Sequence, residues 1–298
     1  MRNFTVRPPA TCKQAMVLLI VFLGVCTGVA QAQDAEFQKA LQVCRAQTAG
    51  ANSVSAADKI AACTQLLASD QLTPQGRSEI YVLRSEGYAV TGPFSSQMSD
   101  LGAAIKTDPT NADAWAQSCS VHTWTGKQSD RELAVQECTT AIRLAPNSNV
   151  PWTFRGDIYL TRHDYRRAIS DYDHALQLDS TWMWPWDNRG EAYLRSGDFV
   201  RAVADFDQVI KVAPDFAMGY LDRGIAEIRQ RRLDAALADF ETALKVQPKV
   251  VSSLYGRGIV KILKGDRAGG MVDIAAAKKA DPDVATMFID DGVTMPNV

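Results

Sequence analysis

The pair Arg-Gly recurs at Arg155-Gly156, Arg189-Gly190, Arg223-Gly224 and Arg257-Gly258, each pair 34 residues after the one before. A fixed period of this length restricts a chain to repeat architectures, in which one supersecondary unit per period buries its apolar face against its neighbours. Other features keep the same step. A bulky residue stands four before each glycine (Trp152, Trp186, Tyr220, Leu254), and a small one twelve after it (Ala168, Ala202, Ala236, Gly270). Sixteen after it come Tyr172, Phe206, Phe240 and Ile274, and Pro214, Pro248 and Pro282 close three of the units. Two antiparallel helices per unit satisfy this pattern. The bulky residue and the glycine four later share one face of a first helix. The glycine and the later small residue let a second helix approach, and its aromatic fills the space beside them. The proline stops the second helix and turns the chain into the next unit.

This bulky–small–small–aromatic–proline order resembles the tetratricopeptide repeat, over 149–284 most specifically. Further upstream, 78–111 fits with Tyr81, Ser85, Leu101, Ala104 and Pro109, and 112–148 with Trp115, Cys119, Ala134, Cys138 and Pro146. The latter unit carries three extra residues, placed in a turn around 126–130, where Ser129 and Glu132 suit a capping box. Residues 37–73 read as a degenerate further unit. The resemblance implies an all-α fold, a right-handed superhelical solenoid of antiparallel helix pairs with about seven units. The expected organisation is a signal peptide over 1–32, a degenerate helix pair over 33–77, and an array of units at 78–111, 112–148, 149–182, 183–216, 217–250 and 251–284. A tail or cap over 285–298 completes it.

The reading of 1–32 as an export signal rests on Arg2, Arg7 and Lys13, the apolar run 16–25 and the small-x-small site Ala30-Gln31-Ala32. The apolar run is too short to span a bilayer, which needs roughly 20 residues, so no stable membrane insertion is expected after cleavage. Bulky Val25 before Cys26 argues against lipoprotein processing. The expected location is therefore periplasmic or secreted. The mature part carries 29 Lys and Arg against 34 Asp and Glu, a net of −5. An acidic chain without a basic run is a poor partner for nucleic acid.

Four cysteines remain after position 32, and Cys44–Cys63 and Cys119–Cys138 are each 19 residues apart. Cys119 holds the close-approach slot of its unit and Cys138 the aromatic slot, so intra-unit disulfides are expected in an oxidising compartment. Four buried thiols are the alternative. Zinc is disfavoured because no two cysteines share a short loop spacing.

Arg84, Arg155, Arg189, Arg223 and Arg257 each precede an aspartate by 16 residues: Asp100, Asp171, Asp205, Asp239 and Asp273. The matched count favours structural ion pairs over an anion-binding ladder, partly exposed and costing at most about 1 kcal/mol when one charge is removed. His122, His163 and His174 form no metal-binding or catalytic motif, and no nucleophile elbow or phosphate-cradling loop occurs. No catalysis, cofactor or metal is expected.

By the resemblance, the second, fifth, ninth and twelfth residues of each unit line an inner, concave face. Upstream units place Glu79, Glu86, Asp113 and Ser120 there, and 149–182 places Val150, Thr153, Asp157 and Leu160. The expected partner-binding groove comprises Trp184, Asp187, Glu191, Met218, Leu221, Ile225, Ile228, Tyr255, Ile259 and Ile262. Trp115, Trp152 and Trp186 fill the bulky slot, whereas Trp184 lies outside it and suits an interface anchor. An apolar inner face is normally covered, and three occupants remain open: a partner protein or peptide, a second copy in a homo-oligomer, or the tail from Ala285 to Val298. The functional expectation is an exported interaction scaffold or adaptor. A structural self-associating repeat and a carrier of a small ligand or glycan are the alternatives.

Overall fold

The computed structural model describes residues 22–48, 53–124 and 128–294, with side chains from Asp34 onward except at 128 and 129. The expected signal, its cleavage point at 30–32 and the cap at Ser129 involve residues or side chains outside that set. Among the described residues there are fifteen α-helices and no strand, and no helix is long and apolar enough to cross a membrane. The chain divides into two compact units, Met1–Pro146 and Asn147–Val298.

The first unit holds three hairpins: α1 (Phe22–Arg45) with α2 (Ala56–Leu67), α3 (Pro74–Thr91) with α4 (Phe94–Thr107), and α5 (Ala112–Trp124) with α6 (Gln128–Leu144). Its largest apolar cluster gathers Phe37, Leu41, Cys44, Cys63, Leu66 and Ile80. Cys44 is joined to Cys63 with Cα atoms 5.0 Å apart, and Cys119 to Cys138 with Cα atoms 5.2 Å apart. All four are fully buried.

The second unit holds four hairpins: α7 (Asn149–Thr161) with α8 (Tyr165–Leu178), α9 (Met183–Ser196) with α10 (Phe199–Val212), α11 (Ala217–Arg229) with α12 (Leu233–Val246), and α13 (Val251–Leu263) with α14 (Arg267–Ala280). A short α15 (Val284–Asp290) follows. Tyr172, Phe206 and Phe240 are buried beneath the glycines of their own hairpins. A Cβ added at Gly190 would stand 2.7 Å from the Phe206 ring, which is why this slot is glycine. The turns between paired helices share one device. His163, Gly197 and Gly265 take positive φ, and the following Asp164, Asp198 and Asp266 accept hydrogen bonds from the N–H groups of Arg167, Arg201 and Gly269. The bulky slot also anchors the preceding turn: Trp186 Nε1 donates to the carbonyl of Ser180 at 3.0 Å, and Tyr220 Oη to that of Pro214 at 3.1 Å.

All five arginines turn to the aspartate of their own hairpin in two-point contacts, as at Arg189, whose Nε and Nη2 lie 2.8 and 2.7 Å from Asp205. Arg84, Arg155, Arg223 and Arg257 repeat the arrangement with Asp100, Asp171, Asp239 and Asp273. Arg189 and Arg223 also reach back to Asp173 and Asp207 on the preceding second helix. The structure corrects the expectation of partly exposed, weak pairs, because all five aspartates are buried. An unpaired charge left at such a site is costly.

Candidate functional site

Within the second unit the first helices α7, α9, α11 and α13 touch one another in sequence as well as their own second helices. They form the closer-spaced, inner row, and α9 begins its face with Trp184. That side chain is 44% exposed and meets Phe216 edge-on at 5.8 Å between ring centroids. One turn on comes Asp187 and a further turn Glu191, both half-buried.

The apolar part of the expected groove is not open. Leu221, Ile225, Ile228, Tyr255 and Ile259 are buried, while Met218 and Ile262 are half-buried against the same core. The cover comes partly from neighbouring first helices and partly from the chain's own C-terminal end. α15 packs on α13 and α14, and fully buried Phe288 stands 5.1 Å from the ring of Tyr255 and 6.4 Å from that of Phe240. Val293 joins the cluster, and Arg229 Nη1 donates to the carbonyl of Asp291 at 2.5 Å. The assignment of those five buried residues to a partner surface is therefore corrected. Their apolar area is already out of water, so it supplies no binding energy to a partner unless the C-terminal segment leaves.

What remains accessible is polar. On α7, Asp157 accepts from Tyr172 Oη at 2.7 Å and from Asn188 Nδ2 at 2.7 Å. Burial nevertheless pushes its carboxyl up to about 6. Burial, then Glu191, pushes Asp187 up to about 7. Asp222 on α11 is raised well above the usual carboxylate range by burial and by the neighbouring Asp187, Glu191 and Asp291. The cations nearby are engaged: Arg195 pairs with Glu191 at 2.8 Å, and Arg229 lies over the Phe199 ring. The sequence reading reached Asp187 and Glu191 from the register but missed Asp222 and Asp291. Asp222 is the sixth residue of its unit, where the preceding unit has Asn188, and only the packing of α9 on α11 reveals that an aspartate there faces other carboxylates.

Residues 190–255 match the family model of the tetratricopeptide repeat. No curated protein matches the sequence. PilW, a type IV pilus biogenesis factor, shares the fold with a TM-score of 0.61 and 17% identity, over 69% of this chain and 94% of that one. A tetratricopeptide repeat protein from Parabacteroides merdae gives 0.60 and 14%, over 88% and 99%. YrrB, a repeat protein with an unusual peptide-binding site, gives 0.52 and 16%, over 63% and 94%. At these identities the likeness is one of fold.

Proposed function

The chain is a tetratricopeptide repeat protein, and from that premise we propose that it is an exported, non-enzymatic interaction scaffold that binds an extended segment of another protein on the inner face of α7 and α9. The observation that carries this reading is Trp184, a large, half-exposed aromatic at the start of an inner helix and one turn before Asp187. Tryptophan at such a position supplies contact area with little entropy to lose, while the adjacent carboxylates orient a basic or amide-rich segment. The peptide-binding site named for YrrB supports an extended ligand as the occupant. Export is supported by the first 32 residues and by the two cystine-type pairs.

Capture from the exported fraction of the native cell tests it. The parent chain and Leu221→Ala are compared with Trp184→Ala, each checked for helix content. Capture of the same partner should fall about tenfold with Trp184→Ala, since hot-spot tryptophans carry about 2 kcal/mol or more. Equal capture by Trp184→Ala would move the interface to the outer helices or turns. A self-associating reading is favoured by Met271 and Val272 on α14 and Ile289 on α15, all exposed. A monomeric mass in solution would remove it.

A further inference from the structure

Between α9, α11 and the C-terminal segment, negative charge exceeds the positive charge available to balance it. Asp187, Glu191 and Asp222 come from the two helices. Asp291 is brought over them by the turn after α15, where Gly292 takes φ of +74° against Arg229. Asp291 is 7% exposed, and its Oδ1 has no hydrogen-bond partner; Arg195 Nη2 stands 3.9 Å away, beyond hydrogen-bond reach. Asp187 Oδ1 is likewise shielded from solvent without a partner. Two sheltered carboxylate oxygens without donors are an arrangement that proteins rarely leave empty, because each costs about 1–3 kcal/mol or more.

We propose that Asp187, Glu191 and Asp222, closed over by Asp291, form a receptor for one cationic side chain, a lysine or arginine, of the bound partner. This rests on the reading of the inner face as the partner-binding surface. A group with several N–H donors fits better than a metal ion, because among the described residues no three acidic or other ligating side chains converge as a metal requires. Trp184, one turn before Asp187, is placed to lie along the aliphatic stem or under the charge of the incoming side chain. Arg195 and Arg229 do not fill the place, since the first is paired with Glu191 and the second with the carbonyl of Asp291.

The receptor competes with protons. Asp187 is held up to about 7 and Asp291 to about 6, with burial the larger cause in both. Asp290, Asp157 and Tyr172 stand on the surrounding elements, and none of them brings a positive charge. An entering cation must therefore displace protons at acidic pH and meets ionised carboxylates above about pH 7.

Nuclear magnetic resonance titration of the full chain decides the matter, with the Trp184 indole signal assigned through Trp184→Phe. The probes are the blocked tripeptide acetyl-Leu-Lys-Leu-amide and its counterpart with Nε-acetyllysine. At pH 8 the lysine peptide should bind about tenfold more tightly than the acetylated one, and it should weaken about tenfold between pH 8 and pH 5.5. In Asp187→Asn with Asp222→Asn both differences should vanish; the pH dependence of the parent is a separate measure should that variant not fold. Equal shifts of Trp184 by the two peptides at every pH would overturn the receptor and leave the inner face a binding surface. No shift with either peptide would also overturn it, and capture by the parent chain would then decide the inner-face reading by itself.

Discussion

Hairpins of the same geometry are held shut in two different ways. In α9–α10 the slots hold Gly190 beneath Phe206, and Arg189 grips Asp205 beside them. In α5–α6 the slots of the glycine and the ring hold Cys119 and Cys138, and the place of the arginine is taken by Ser118, whose Oγ donates to Glu137 at 2.6 Å. His122 Nδ1 meets the other oxygen of that carboxylate at 2.7 Å. The division holds along the chain. The five hairpins with the Arg–Asp contact carry no cystine, and the two with a cystine, α1–α2 and α5–α6, lack the Arg–Asp contact. A repeat framework thus tolerates the loss of its polar clamp where a covalent one takes over the same slots.

Removing a clamp of each kind measures the comparison. Arg189→Leu should have the largest effect, about 3–5 kcal/mol, because it strands buried Asp205 and also releases Asp173. Chemical denaturation read by tryptophan fluorescence would show it, and a loss below about 1 kcal/mol would mean that solvent reaches Asp205. Replacing Cys119 and Cys138 together by Ser and Ala should come next, at about 3 kcal/mol for a loop of this length. Hydrogen exchange should place that loss in α5–α6 and leave α9–α10 protected. An equal loss of protection in both would show that the two clamps do not act locally.

The contrast explains what the sequence could and could not disclose. The period of Arg155, Gly156 and Tyr172 is written in side chains that act within one hairpin, so counting along the chain finds their partners. The inner face is different. Leu221, Ile225 and Tyr255 sit at inner register positions, yet their exposure depends on where Phe288 and Val293 come to rest. No periodicity governs that, because α15 belongs to no complete unit. Asp222 was missed for a related reason: its neighbours Asp187 and Asp291 lie about one and two repeats away, and only packing brings the three together.

The smallest effect is one of pH, and it separates the two regions from the opposite direction. Asp157 and Asp291, raised to about 6, and Asp187, raised to about 7, all lie in the second unit. In the folded chain each keeps its proton where the unfolded chain, with a carboxyl near 3.8, has already released it. The folded state therefore binds more protons between about pH 4 and pH 7, and stability falls as pH rises through that window. Melting followed at pH 4.5, 6 and 7.5 should show a declining midpoint, and Asp187→Asn should melt above the parent at pH 7.5 while matching it at pH 4.5. Hydrogen exchange should place the loss in α9 and α11, where burial opposes ionisation, rather than in the cystine-held hairpins. A midpoint that climbs from pH 4.5 to 7.5 in both proteins would show that these carboxylates are already neutralised by cations, and with that the charge difference between the open and covered parts of the inner face would disappear.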